Sequence, residues 1–308
     1  MTVHFRRKDI PMTSTAVQER DVEFRSGPVT LRGWLRTPAT EGPHPLVILA
    51  HGLGGLKEWT IPEVAAALTE AGIAALAFDY RNFGDSDGQP REEVDHPGQI
   101  DDWRNAVTFA TTLPEIDSER IGLWGTSLGG RNVLAAGALD HRIRCIYAQV
   151  PPIGSVPEAI PMMLGTTSRD EADRILADDL RNRALGAEPE YVDFPIGPEY
   201  EYDAYWAGFG EAEKRNWTPH VTVASFAPSL ADDIRPLLPL ISPTPVFLVV
   251  AEADAYCPPA LAKPAFDTIP GPKKLLVVDG HHYSVYTDFK DETIVAAREW
   301  FVEHLVSA

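Results

Sequence analysis

The run GTSLGG, residues 125–130, sets Ser127 between Gly125 and Gly129, directly after the apolar stretch IGLW. Small neighbours on both sides of a serine permit a sharp strand-to-helix reversal that leaves the hydroxyl exposed at the strand's end. A helix that begins just after the reversal also points unpaired N–H groups at any negative charge forming there. This is a setting for acyl transfer. A G-x-S-x-G match arises by chance in long chains, so its weight comes from where it falls, at the junction of a strand and a helix in mid-sequence.

An unassisted serine hydroxyl is a poor nucleophile; it needs a base within hydrogen-bond reach, and the base needs an acid to orient it. In LLVVDGHHYSVY an apolar run ends at Asp279 and Gly280, and His281 and His282 follow. In FLVVAEADAYCPP, Glu252 and Asp254 follow another apolar run, and the Pro258-Pro259 pair opens the next helix. Either carboxylate and either imidazole satisfies these requirements. The order serine, acid, histidine along the chain is that of the α/β-hydrolase arrangement and differs from both classical protease orders. The turn HGLGG, residues 51–55, lets backbone amides face the same site, which assigns the oxyanion donors to the Leu53 and Leu128 N–H groups. A dinucleotide cradle is the alternative use of such a turn, but Lys57 stands where the third glycine of G-x-G-x-x-G would be.

The elements that must carry these loops are legible in the hydrophobic pattern. VEFRS and VTLRGWLRTP alternate and flank a Gly-Pro, a hairpin signal. Continuous apolar runs follow at 45–51, 73–80, 120–125 and 144–150, and helical patterns separate them at 58–72, 98–113 and 128–139. The rhythm resumes from residue 244 with strands TPVFLVV and KKLLVV and helices at 258–268 and 289–305. Buried strands alternating with helices imply a mostly parallel, doubly wound sheet covered on both faces. Residues 151–241 interrupt the rhythm and are too long for an ordinary connection, which predicts a helical cap inserted after the sixth strand. Its one clear helix, SRDEADRILADDLRNRALG, has Ser168 and Glu171 as a capping box, Ile175, Leu176 and Leu180 on one face, and Gly186 as a stop. The resulting organisation is an N-terminal extension at 1–19, a first core part at 20–150, the cap at 151–241 and a second core part at 242–308.

With Ser127, the acid and histidine candidates and the HGLGG turn in place, the chain resembles the α/β-hydrolases over residues 20–306. HGLGGLKEW, AFDYRNFGDSDG, IDDWRNAVTFATTL, IGLWGTSLGG and DGHHYSVY are similar to the branch around dienelactone hydrolases, bacterial cytoplasmic esterases and fungal polyketide transferases. That resemblance implies an aspartate in a D-x-x-x-P turn and a histidine followed by an aromatic residue and a further tyrosine. It thereby selects Asp254 over Glu252 and His282, with Tyr283 and Tyr286, over His281. His281, Asn82 in place of the usual glycine of the DYRGFG turn, and Arg131 depart from the branch pattern. Asp79, Asp85 and His51 are read as supports of their loops.

The cap carries Met162, Met163, Tyr200, Tyr202, Tyr205, Trp206, Phe209 and Trp217. Most such residues pack a lid onto its domain; Met162, Met163, Tyr205 and Trp206 are the expected pocket lining, which suits a neutral, hydrophobic ester or lactone. Hydrolysis through an acyl-enzyme on Ser127 is the expected reaction, with acyl transfer or C–C cleavage by the same residues as the alternative. No metal or organic cofactor is expected. The net charge of −18, from 27 basic and 45 acidic residues, disfavours nucleic acid as a partner. No segment has the apolar length of a membrane span or a secretory leader, and the two cysteines, Cys145 and Cys257, are too few for a disulfide framework. A cytoplasmic protein acting on a small molecule is expected, with a homodimer left open.

Overall fold

The computed structural model describes residues 17–154, 159–194, 205, 210, 216–227 and 233–307. Its centre is an eight-stranded sheet in the order β1-β2-β4-β3-β5-β6-β9-β10. The strands are β1 (Gln18–Ser26), β2 (Val29–Thr37), β3 (His44–Ala50), β4 (Ala74–Phe78), β5 (Ile116–Thr126), β6 (Ile143–Gln149), β9 (Val246–Ala251) and β10 (Lys273–Val278). β1 and β2 form the expected antiparallel hairpin and β2 pairs antiparallel with β4; every pairing from β4 through β3 to β10 is parallel. All seven residues of β3 are buried, as a strand covered on both faces requires.

Helices cover the two faces. α2 (His96–Ala110) and α3 (Leu128–Leu139) pack Trp103, Val107, Val133 and Leu134 on one, and α6 (Pro259–Asp267) adds Phe266 there. α1 (Ile61–Glu70) and α7 (Lys290–Phe301) pack Ile61, Leu68, Trp300 and Phe301 on the other. α2 begins two residues before its expected start because Asp95 caps it, accepting from the Gly98 N–H, and Pro97 suits a first turn. It ends at Ala110 because the Thr111 and Thr112 hydroxyls turn back onto the Thr108 and Phe109 carbonyls.

Between β6 and β9 lie the helices α4 (Ala159–Met163) and α5 (Arg169–Ala184) and a ribbon of β7 (Tyr191–Asp193) with β8 (His220–Thr222). Leu164, Ala172, Leu176 and Val223 form a small core there. The face of α5 differs from expectation: Leu180 is 52% exposed, and Asp179 is buried instead, accepting the Glu190 N–H. A backbone donor that would otherwise be orphaned thus outweighs one leucine in fixing the helix rotation. Only half of the capping box forms. Ser168 accepts the Glu171 N–H, while the Glu171 carboxylate bonds the Thr166 hydroxyl. The last part of the segment, Arg235–Ile241, sends Leu238 and Ile241 into the main core.

The strand order reverses around β3, since the chain steps to β4 on one side and then to β5 on the other. Loops leaving the carboxyl ends of β3 and β5 therefore diverge, and the crevice between them is where open α/β sheets hold ligands. The loop after β3 is anchored by Asp79, which is fully buried at the end of β4. Its carboxylate accepts from the Lys57 N–H (2.9 Å), the Lys57 ammonium (2.7 Å) and the Asp85 N–H (3.1 Å). Burial alone would lower the Lys57 pKa, but attraction to Asp79 and its bonds to Asp79 and Asp85 raise it above the usual lysine range. Asn82, where the resembling branch has glycine, holds a left-handed φ of 71° and donates its side-chain amide to the Glu93 carbonyl. Replacing Asp79 by alanine removes the fully buried carboxylate that holds Lys57 and leaves the ammonium only Asp85 and Glu58, both more exposed, so chemical denaturation should show a loss of about 3 kcal/mol.

Candidate active site

Ser127 lies between β5 and α3 with φ 53° and ψ −122°, a strained conformation for a residue with a side chain. The glycines around it are set by contact rather than by flexibility. A Cβ on Gly125 would lie 2.3 Å from the Gly129 carbonyl oxygen, and one on Gly129 would lie 2.5 Å from the His51 carbonyl oxygen. The reversal is closed by bonds from the Ser127 N–H to the Gln149 carbonyl (2.8 Å) and from the Arg131 N–H to the Ser127 carbonyl (3.1 Å).

The other two loops converge on this hydroxyl. His282 Nε2 lies 3.0 Å from Ser127 Oγ, and His282 Nδ1 lies 2.7 Å from Asp254 Oδ2. The second oxygen of Asp254 accepts the Tyr256 and Cys257 N–H groups at 2.9 and 2.7 Å, so the carboxylate is fixed from two sides. Both His282 and Asp254 are 5% exposed. A neutral imidazole that donates from Nδ1 to a carboxylate presents an acceptor at Nε2, and the serine hydroxyl is its donor. The competing candidates are placed elsewhere: Glu252 pairs with Lys263 on the surface at 2.5 Å, and the exposed His281 ring lies 3.3 Å from the Ala253 carbonyl. Asp254, Cys257 and His282 also bring one ligand-type atom each within 4.8 Å of one another, but the carboxylate and imidazole atoms there already bond each other.

Tyr286 ties two of the loops together, its hydroxyl 2.5 Å from the Thr126 hydroxyl next to the nucleophile. Burial pushes that phenol well above the ordinary tyrosine range, so it stays protonated. Tyr283 packs edge-on against His282, with ring centroids 5.3 Å apart.

Leu53 and Leu128 line the same pocket as Ser127. Leu128 opens α3, where the first N–H groups have no partner within the helix. Neither the Leu53 nor the Leu128 N–H donates to a protein acceptor outside the regular elements, among the described residues. The glycine turn packs on the nucleophile, a Cβ on Gly52 falling 2.9 Å from Ser127 Cβ. His51 lies beneath it, buried, with Nδ1 2.8 Å from the Gly52 carbonyl. Desolvation lowers its pKa to about 4, so at neutral pH the ring is uncharged and donates from Nδ1.

A cavity of about 220 Å³ opens above Ser127. Of the cap residues singled out in the sequence, Met163 and Tyr205 line it; Met162 is half-buried off its wall, and Trp206 lies outside the described residues, as do Tyr200, Tyr202 and Phe209. Trp217 donates to the Gly54 carbonyl at 3.0 Å. Phe194, Phe226 and Tyr256 also form the wall. Phe194 and Phe226 sit beside three-residue strands and one-turn helices, where no periodicity marks a residue as inward. His96 and Arg131 add a polar edge, with an Arg131 amine 2.5 Å from His96 Nδ1.

A parallel sheet with a serine reversal after its fifth strand, an acid after β9 and a histidine after β10 defines a class, and the chain belongs to the α/β hydrolase family, which matches residues 46–297. It is an enzyme of the hydrolase type. More particularly, it is 30% identical over 302 residues to the thiohydrolase aneE of Aspergillus aculeatus, covering 93% of each chain. It is 31% identical over 282 residues to the polyketide transferase grgF of a Penicillium species, covering 87% of this chain and 90% of the relative. The crystal structure of GrgF superposes with a TM-score of 0.78 at 28% identity, over 94% of this chain and 99% of that one. A shorter match, 38% over 172 residues, relates 56% of each chain to the quorum-quenching protein AidA of Acinetobacter baumannii. No helix among the described residues is long and apolar enough to cross a membrane.

The His51 shift carries a measurable signature. Because its folded pKa of about 4 lies below the ordinary 6.5, the unfolded chain binds the extra proton between those values, and stability falls as pH drops through that window. The decline should reach roughly 3 kcal/mol by pH 4 in pH-dependent denaturation of the wild type and be missing from the curve of a His51→Gln variant.

Proposed function

We propose that the protein cleaves a carboxylic ester or lactone of a neutral, hydrophobic small molecule through an acyl-enzyme on Ser127. The observation that carries this reading is the continuous chain from Ser127 Oγ to His282 Nε2 and from His282 Nδ1 to Asp254 Oδ2, at 3.0 and 2.7 Å. As Ser127 Oγ bonds to the carbonyl carbon, its proton passes to His282 Nε2, and Asp254 stabilises the imidazolium without taking the proton. The charge that forms on the carbonyl oxygen is held by the Leu53 and Leu128 N–H groups. Collapse of the tetrahedral species expels the alcohol, which leaves with the proton from His282. A water then repeats the sequence on the acyl-serine and releases the acid.

The apolar wall of Met163, Phe194, Phe226 and Tyr205 supports a hydrophobic acyl group. The segment between β6 and β9 acts as a cap over it. A second reading has its own support: relatives at about 30% identity are named thiohydrolase and polyketide transferase. On that reading the leaving group is a thiol, or an alcohol takes the place of water at the second step.

Ser127→Ala should lower kcat/KM for a short p-nitrophenyl ester by roughly three orders of magnitude or more while leaving the fold intact, and should abolish labelling by a fluorophosphonate. Wild-type turnover by the alanine variant would remove the reading. Partitioning decides between the two outcomes: hydrolysis predicts free acid as the main product even with added primary alcohol, whereas transfer predicts a new ester that rises with alcohol concentration.

A further inference from the structure

Among the described residues β10 ends the sheet, pairing with β9 on one side only. Val278 and Gly280 turn their carbonyls inward, accepting the Glu252 and Ala253 N–H groups. Groups alternate along a strand, so Lys273, Leu275, Val277 and Asp279 direct their N–H and C=O groups away from the sheet. None of these N–H groups donates to a protein atom among the described residues. The same four side chains share one face, on which Leu275 is 37% and Val277 43% exposed. Six residues of edge strand with bare donors and exposed aliphatic side chains form a template for another strand, and folded proteins normally blunt such an edge.

We propose that the edge is occupied by β10 of a second copy of this chain, joined antiparallel about a two-fold axis into one continuous sheet. A two-fold interface must be self-complementary, residue i facing j while j faces i. The outward set allows registers that exchange its members among themselves, and charge selects one of them. When Leu276 faces its own counterpart on the axis, Leu275 lies opposite the partner's Val277 and Lys273 opposite the partner's Asp279. Every outward N–H and C=O then finds its mate in a hydrogen-bonded pair, and the exposed aliphatic side chains cover each other. Moving the axis to Leu275 instead sets Lys273 against Val277 and leaves Asp279 beyond the paired strands. The ionic pair contributes little energy at an exposed site; its effect is to specify register. Lys273 at present donates to the Phe266 and Asp267 carbonyls, at 3.0 and 2.8 Å, through a flexible stem that can reach along the edge.

Sedimentation equilibrium of the full chain over micromolar concentrations tests this without reference to activity. The wild type is expected at twice the chain mass, and Val277→Lys at the chain mass with unchanged circular dichroism and cooperative melting. Lys273→Asp and Asp279→Lys should each shift the equilibrium towards monomer, because each places like charges opposite one another at both ends of the interface. Mixed in equal amounts, the two variants should regain the dimer, since every cross-pair is then of opposite sign. A wild type that is monomeric throughout overturns the proposal. So does a dimer that Val277→Lys leaves intact, or a failure of the two charge variants to complement each other.

Discussion

Backbone touches backbone at the serine reversal, and the site's geometry follows from that contact. The Cα of Gly129 faces the His51 carbonyl so closely that an added methyl would sit 2.5 Å from the oxygen. A side chain can swing aside; a peptide group held in a sheet cannot. The loop after β3 and the first turn of α3 are therefore locked against each other by the two strands behind them, and Leu53 and Leu128 inherit that fixed spacing. The strained φ of Ser127 is held by the same clamp, whose sequence cost is a small residue at every point of contact.

Charge around the site is arranged so that buried groups are either paired or neutral. Lys57 stays ionised in the interior because Asp79 and Asp85 surround its ammonium. His51, a few residues away under the same loop, has no such carboxylate bond among the described residues and stays uncharged. The two neighbours show both outcomes open to a basic group taken out of water. Asp254 follows the first pattern with backbone donors, and its two N–H bonds leave one oxygen for His282.

Much of this was legible in the sequence because it rests on short-range rules. Continuous apolar runs located the strands, the glycines located the reversal, and Pro258-Pro259 placed the turn that holds Asp254. The choice of His282 over His281 was not available from spacing alone, since both follow the same strand; it came from the family pattern and is matched by the 3.0 Å approach to Ser127. The segment between β6 and β9 was least legible. Outside α5 its packing is made by one-turn helices and three-residue strands, so inward and outward positions leave no period to read. The rotation of α5 depended on Asp179 meeting a distant Glu190 N–H, a long-range debt invisible to a helical wheel.

The Trp217 indole bond to the Gly54 carbonyl joins the inserted segment to the glycine turn beside the nucleophile. A chain built this way cannot lift that part of its roof without tugging on the floor. Any displacement of Trp217 therefore breaks a bond to the turn that packs on Ser127, so the position of that stretch and the shape of the turn are linked through one indole.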